Sequence, residues 1–286
     1  MSVKFRSLWH FCCILTMAAV LFLPNCGLAK KITQPEIYQP VPDKWAPGLL
    51  EVRIFDVGKG DAILLHVPDG RFIMIDTGYA ETAPRLINSL KTLGVDKIHM
   101  LILTHHHKDH VGGLPYLLEA IPVDKVIQSY DPREPEKLLV TPGTKLFEAG
   151  GMKLTALGPE QTHKDENDNS LVTRLEFGRI AVLFAADAIE ESIADLLKSK
   201  INLRADVLKV PHHGRFTGFS PREFFTAVRP EYAVITSDEN AGEPPEGSIM
   251  RILKELGARV LLTDELGEIQ FLSDGETIDF LPGGKR

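Results

Sequence analysis

Beyond residue 29 the sequence contains no cysteine; its three, Cys12, Cys13 and Cys26, all lie near the N-terminus. Residues 30–286 therefore have no disulfide, no thiol nucleophile and no thiolate ligand, and any metal there must be held by nitrogen and oxygen. A surplus of basic charge is also missing. The whole chain has 32 Lys and Arg against 39 Asp and Glu, and the 257 residues after position 29 have 30 against 39. That balance argues against nucleic-acid binding through a broad basic surface. The apolar run from Leu8 to Leu23 falls short of the about 20 residues that a membrane-spanning helix needs. Neither a strong internal repeat nor a second linker interrupts the remainder, which reads as one large domain.

The N-terminal stretch has its own character. Lys4 and Arg6 precede the apolar run, and "PNCGLAK" follows it, with Gly27 and Ala29 at the spacing of a small-residue cleavage site. Residues 1–29 are expected to form a secretory signal peptide, which sends the protein to the periplasm or the exterior. The alternatives are an uncleaved membrane anchor and a lipoprotein signal ending at Cys26, to which Asn25 is poorly suited. Residues 30–48 carry four prolines and little apolar periodicity, as in an extended tether. The domain proper is expected over residues 49–286.

Within it, "LLEVRIFDV", "AILLHV" and "RFIMID" read as strands separated by the turn signals "GKGD" and "PDG". "TAPRLINSLKTLG" reads as a helix and "HMLILT" as a strand. Later, "SLVTRLEFG" and "IAVLFAAD" predict a pair across a glycine turn, and "AIEESIADLLKSK" a helix. "ADVLKV" and "YAVITS" predict strands, with helices at "SPREFFTAV", capped by Ser220, and "EGSIMRILKELG". "ARVLLTD", "EIQFLSD" and "TIDFL" make a β-rich end. The pattern predicts sheets covered by helices.

Nine histidines follow residue 29, and six of them fall in two clusters, "THHHKDH" and "PHHG". In the first, a strand ending at Thr104 delivers His105, His106, His107, Lys108, Asp109 and His110 onto a loop. In extended chain His105 and His107 point the same way and can share one metal, while Asp109 and His110 reach a second. Imidazole and carboxylate without sulfur suit Zn, Mn, Fe or Ni. Further ligands are expected at other strand ends: Asp187 after "LFAA", which could instead cap the next helix, and His212 and His213 after "VLKVP". Asp76, in "MIDTG", is placed to orient a ligand histidine or cap a turn, and Thr104 stands beside the ligand run. In "FDVGKGD", Asp56 and Asp61 read as structural, because no helix follows to complete a phosphate cradle.

The order "DTG", "THHHKDH", "ADA", "HH" resembles the metallo-β-lactamase superfamily. Within it the chain is similar to the hydrolase domain of the ComEC competence protein and its stand-alone relatives, through "FDVGKGDAILL", "DNSLVTRLEFG", "ADVLKVPHHG" and "GARVLLTDELGEIQFLSDG". The resemblance implies an αββα sandwich in the α/β class with metals at one edge. It implies His105 and His107 on one divalent ion, Asp109 and His110 on the other, Asp187 between them, and one of His212 and His213 completing a shell. The relatives add a further ligand before the strand that precedes Asp187; here His163, Asp165, Asn167 and Asn169 are the candidates. Three positions depart from the related group: Lys59 for a usual Gln, Arg215 for a usual Ser, and Glu243 for a histidine.

Two such cations, zinc first and manganese second, lie about 3.5–4 Å apart and bring a bridging water from pKa 15.7 towards ~7, so that it attacks as hydroxide. Asp109 would orient that nucleophile. Arg215 and Thr217 are candidates for substrate contact, while His106 and Lys108 are expected to face solvent. With the signal peptide pointing to export, the resemblance implies a hydrolase of phosphoesters, a phosphodiesterase or nuclease-like enzyme acting on an anionic substrate; the acidic balance leaves nucleic acid itself open. Hydrolysis of lactone, thioester or β-lactam carbonyls is the alternative within the same chemistry. Single-iron oxygenases keep a similar ligand run, whereas di-iron relatives place Glu where His107 stands. A non-catalytic protein binding DNA or a wall polymer is the alternative outside enzymes.

Overall fold

Alternation along the strands decides the architecture. In β1 (Leu50–Ile54), Leu50, Val52 and Ile54 face one side, and the same side takes Ile63 and Leu65 of β2 (Ile63–His66) and Ile73 and Ile75 of β3 (Phe72–Ile75). Met100 and Ile102 of β4 (Met100–Leu103) and Ile127 of β5 (Val126–Gln128) continue that face. The structure, a computed structural model, describes residues 44–283 apart from 132, 217 and 239, with the backbone alone at 135 and 136. The expected signal segment, all three cysteines and residues 30–43 of the tether lie outside the described residues. Trp45, near the tether's expected end, stacks on His66 with ring centroids 3.6 Å apart.

A short hairpin of β6 (Tyr130–Asp131) and β7 (Glu134–Leu138) leads to the second half. There β8 (Lys145–Ala149), β9 (Met152–Gly158), β10 (Val172–Phe177) and β11 (Ile180–Phe184) pair antiparallel. β12 (Val207–Lys209), β13 (Tyr232–Ile235) and β14 (Arg259–Leu262) then add in parallel. β15 (Ile269–Ser273) and β16 (Ile278–Pro282) return to the first sheet. The two seven-stranded sheets run β16-β15-β1-β2-β3-β4-β5 and β14-β13-β12-β11-β10-β9-β8.

Between the sheets lies a core built from both inner faces, including Leu154, Leu175, Val182, Phe184, Val207, Val234 and Phe271. The outer face of the first sheet, with Leu64, Met74, Leu101 and Leu103, is covered through Leu86 and Leu90 of α1 (Ala83–Thr92). The short α2 (Lys108–Val111) precedes α3 (Leu114–Ala120), whose Leu117 joins that cover. The outer face of the second sheet packs on α4 (Glu190–Ser199), α5 (Arg222–Val228) and α6 (Gly247–Glu255). A last turn, α7 (Thr263–Leu266), precedes β15. This is the expected αββα sandwich. Each buried Leu, Ile or Phe contributes roughly 1.5–3 kcal/mol, so the three clusters account for its cohesion. Two local expectations change. The cap position of α5 is Pro221, without a side-chain cap bond, rather than Ser220. Asp187 does not cap α4, which starts after Ile189. Among the described residues no helix is long and apolar enough to cross a membrane.

Strands β3 and β4 of one sheet and β11 to β13 of the other are parallel neighbours. Their C-terminal ends release the loops carrying Asp76, Thr104 to His110, Asp187, His212 to Gly214 and Thr236, which meet at one edge. Ligand sites in α/β sheets form at such strand ends.

On the opposite face of β1, the fully buried Arg53 pairs with Glu51 at 2.5 Å and with Glu268, and Gln270 donates to Glu51 at 2.9 Å. Removing one partner of a buried ion network leaves uncompensated charge. Arg53→Met is expected to cost about 3–5 kcal/mol in urea unfolding at neutral pH. A change below about 1 kcal/mol would show that the network contributes nothing to stability.

Candidate metal centre

Asp187 is the point of convergence. β11 ends at Phe184, and Ala186, at φ 47°, turns the chain so that the Asp187 carboxylate enters the buried edge between the sheets. His105 Nε2 lies 3.9 Å from its Oδ2 and His213 Nε2 lies 3.3 Å from the same atom. His110 Nε2 lies 3.2 Å from its Oδ1. Asp109 closes the ring, with Oδ2 3.7 Å from His213 Nε2. Asp109, His110, Asp187 and His213 thus place one donor atom each within 4.8 Å of one another.

The donors are prepared for a cation. His105 Nε2, His110 Nε2, His213 Nε2 and Asp187 Oδ1 are all buried, and none has a hydrogen-bond partner among the described residues. Buried polar atoms are almost always satisfied, so four unpartnered atoms facing one another suit the coordination of a cation. The opposite ring nitrogens are fixed by partners that leave only one tautomer. His110 Nδ1 lies 2.7 Å from Asp76 Oδ2, which can only accept, so Nδ1 carries the proton and Nε2 faces the centre. Thr236 Oγ1 donates to Asp61 Oδ1 at 2.8 Å, so it must accept from His213 Nδ1, also at 2.8 Å. Thr104 Oγ1 donates to Asp76 at 2.6 Å and is left to accept from His105 Nδ1 at 3.2 Å. Histidine ligands are commonly oriented by such partners.

Beneath these contacts lie Asp61 and Lys209. Inner-face alternation in β12 points Lys209 between the sheets rather than outward. Its Nζ is 2.6 Å from Asp61 Oδ2 and 3.6 Å from Asp187 Oδ1, and it donates to Ala186 O at 3.1 Å. The Asp61 amide donates to Asp109 O at 3.1 Å. Asp61 therefore touches the supports of three donors. The approach needs Gly60, where a Cβ would come within 2.5 Å of Asp109 O. Strain concentrates here as well. Six described non-glycine residues have positive φ; Lys200 and Arg229 end helices, while Asp76, Ala186, His212 and His213 surround the centre. Strained backbone collects at functional sites.

The charge states follow from burial and neighbours. Burial works against charge on His110, but Asp187 and Asp76 outweigh it and hold the imidazole well above its ordinary value. Burial, reinforced by the charge on His110, drives His105 well below. Burial also opposes ionisation of Asp187, yet His213 and His110 hold its carboxyl well below the usual range. Asp61, then Asp187, overcome burial and keep Lys209 charged.

The other expected residues divide. α2 replaces an extended loop from Lys108, which is what carries Asp109 and His110 round to face His213 and Asp187. His107 is partly exposed, its ring 4.8 Å from that of His105. Of the two adjacent histidines, the structure turns His213 inward; His212 lies beside it with Nδ1 2.9 Å from Arg215 O. His163 is turned away, 2.9 Å from Glu191 and 3.3 Å from Asp195. Asp165 accepts from the Asn167 amide at 3.0 Å, and Asn169 is engaged with the His163 backbone. Asn167 Oδ1 is buried without a partner among the described residues. Glu166, absent from the sequence candidates, lies 3.8 Å from His107 Nε2 and accepts from the His106 amide at 2.8 Å. His106 is half-buried against Tyr130 rather than free in solvent, while Lys108 is exposed. Arg215 pairs with Glu243. Thr217 lies outside the described residues. Asp61, Lys209, Thr236 and Glu166 are the residues that sequence reasoning missed.

A family model described as the metallo-beta-lactamase superfamily matches residues 55–220. ComE operon protein 3 of Bacillus subtilis (strain 168) is 29% identical over 255 residues, covering 77% of this chain and 33% of that protein. Competence protein ComA of Neisseria gonorrhoeae is 31% identical over 224 residues, covering 77% of this chain and 32% of its own length. The chain spans about a third of the length of these curated relatives. In fold it is similar to the metallo-beta-lactamase fold protein YhfI from Bacillus subtilis, at TM-score 0.52 and 14% identity, over 78% of this chain and 100% of that one.

Zinc titrations of the metal-free protein test the arrangement. A ligating His110 must lose the Nε2 proton that faces Asp187, while the Nδ1 proton stays with Asp76, so affinity is expected to rise about tenfold per pH unit until the pH passes its raised pKa. Asp61→Asn is expected to weaken zinc binding about 10- to 100-fold at fixed pH. A pH-independent affinity, or wild-type affinity in Asp61→Asn, contradicts this reading.

Proposed function

The chain belongs to the metallo-beta-lactamase superfamily, whose members are generally metal-dependent hydrolases, and on that premise we propose an exported phosphoester hydrolase, phosphodiesterase or nuclease-like, built on a two-metal centre. The observation that carries it is the set of three buried imidazole nitrogens around Asp187, which together with Asp187 Oδ1 have no hydrogen-bond partner among the described residues. In this reading Asp109, His110, His213 and Asp187, whose donor atoms lie within 4.8 Å of one another, hold one ion. His105, His107 and Asp187 hold the other, with Glu166, 3.8 Å from His107, beside them. Zinc is the first choice and manganese the second, because the donors are imidazole and carboxylate without sulfur. Divalent cations bound there supply Lewis acidity and an activated water.

The chain's own residues do the rest. Asp76 and Thr236 fix which ring nitrogen of His110 and His213 faces the centre. Asp109 keeps 13% of its side chain exposed, against 2% for Asp187, and would be the carboxylate that orients the nucleophile when cations are bound. The sequence resemblance to competence-protein hydrolase domains and the likeness to competence proteins support phosphorus over carbonyl carbon as the electrophile. The signal-like residues 1–29 support export.

The test is a substrate panel on protein purified without added metal and then loaded with zinc or manganese. Bis-p-nitrophenyl phosphate and single-stranded DNA are expected to turn over, while nitrocefin and lactones are not. Asp187→Asn is expected to lower kcat/KM by more than the about 10- to 100-fold that a supporting residue costs. Turnover of nitrocefin or lactones alone would overturn the phosphoester reading. Unchanged turnover in Asp187→Asn would overturn the enzyme reading.

A further inference from the structure

Three residues from separate loops meet at the rim of the centre. Lys59 stands in the turn between β1 and β2, Arg215 follows the His212–Gly214 turn, and Glu243 lies between β13 and α6. Glu243 Oε2 is 2.5 Å from Lys59 Nζ and also pairs with Arg215. The fold brings these three positions, distant in sequence, to one point.

That point borders the centre. Lys59 is two residues before Asp61, whose amide holds Asp109 O, and Arg215 is two residues after His213. Its carbonyl contacts His212 Nδ1 at 2.9 Å. The Glu243 loop is pinned across this segment from its far end: Glu246 accepts from the Phe216 amide at 2.7 Å and donates its own amide to Gly214 O at 3.0 Å. A cavity of about 430 Å³ that Gly58 borders is lined by Asp56, Glu81, Asp238 and Asp264 together with Arg85 and Tyr79.

Two cations aimed at one carboxylate form a site for an anion that is already filled from within. Glu243 is the open member at 49% side-chain exposure, with Arg215 at 33% and Lys59 at 16%, and pairs reached by solvent contribute little to fold stability. The triad is therefore easily exchanged, and the fork of Arg215 suits phosphate as well as carboxylate. We propose that Lys59 and Arg215 clamp a second phosphate of the substrate, next to the one hydrolysed, and that Glu243 occupies the clamp until that phosphate displaces it. This rests on the phosphoester reading and sharpens it, favouring substrates that carry adjacent phosphates over isolated diesters. It also gives an acidic protein a local means of holding a polyanion.

The p-nitrophenyl ester of thymidine 5′-phosphate, with and without a 3′-phosphate, tests it on the zinc-loaded protein. In the wild type the 3′-phosphate is expected to lower KM. Lys59→Gln and Arg215→Ser are expected to bring the ratio of the two KM values close to one, a loss of about tenfold for a charge-assisted contact. Glu243→Gln is expected to enlarge the ratio. Lys254→Gln, on the outer surface of α6, serves as the control for general charge and should leave the ratio at its wild-type value. Ratios unmoved by the Lys59 and Arg215 variants, or moved equally by Lys254→Gln, overturn the clamp. Binding of thymidine 3′,5′-bisphosphate to chelator-treated protein separates the two failures. If neither ester is hydrolysed, the phosphoester reading fails, and the clamp stands only if Glu243→Gln tightens that binding and Lys59→Gln loosens it.

Discussion

The buried contact between Asp61 and Lys209 is the joint on which the candidate centre depends. Asp61 comes from the turn after β1 and Lys209 from β12, so the pair ties the two sheets together at the edge where the donors converge. Two charges taken out of water cost several kcal/mol each unless they are paired and hydrogen-bonded. Here both are. Lys209 also holds Ala186 O and stands 3.6 Å from Asp187, while Asp61 holds Thr236, and through it His213. Displacing either partner would leave a buried charge and release two of the converging side chains together.

Around that joint Asp187 is surrounded by three imidazole nitrogens that make no hydrogen bond among the described residues, and the positive charge of Lys209 is shared with Asp61. Asp187 and Asp76 favour the charged form of His110. Divalent cations bound beside Asp187 would satisfy these nitrogens together. The positive-φ residues Asp76, Ala186, His212 and His213 are consistent with this arrangement, since each turns a strand end sharply enough to aim a donor or its support inward.

Much of this was legible in the sequence, because density of one residue type at strand ends is a local signal. The "THHHKDH" run, Asp187 behind an apolar strand and the doubled histidine all announced themselves, and β-alternation gave the layers. What stayed hidden depends on contacts between distant segments. "GKGD" reads as a turn, and nothing in it shows that Asp61 reaches Lys209, 148 positions along the chain. Lys209 itself offered a signal, a lone cation inside the apolar run "VLKV". The choice between His212 and His213 turns on successive positive φ angles, which adjacent identical residues cannot reveal. The ligand-rich stretch before β10 folds into a 3₁₀ turn, Asn167–Asn169, that exchanges expected roles: His163 faces Glu191 and Asp195, and Glu166 faces His107. Among the strands that went unread, β5 and β6 are short and "EPEKL" carries proline and charge, whereas "MKLTALG" alternates over seven residues and carried a readable signal.

Anomalous X-ray scattering at the zinc edge, on crystals grown with zinc, addresses the metal centre most directly. A two-metal site predicts two peaks within about 4 Å of each other, one bounded by Asp109, His110, His213 and Asp187 and the other by His105, His107 and Asp187. A single peak elsewhere, such as between His163, Glu191 and Asp195, or no peak beside Asp187, would contradict it.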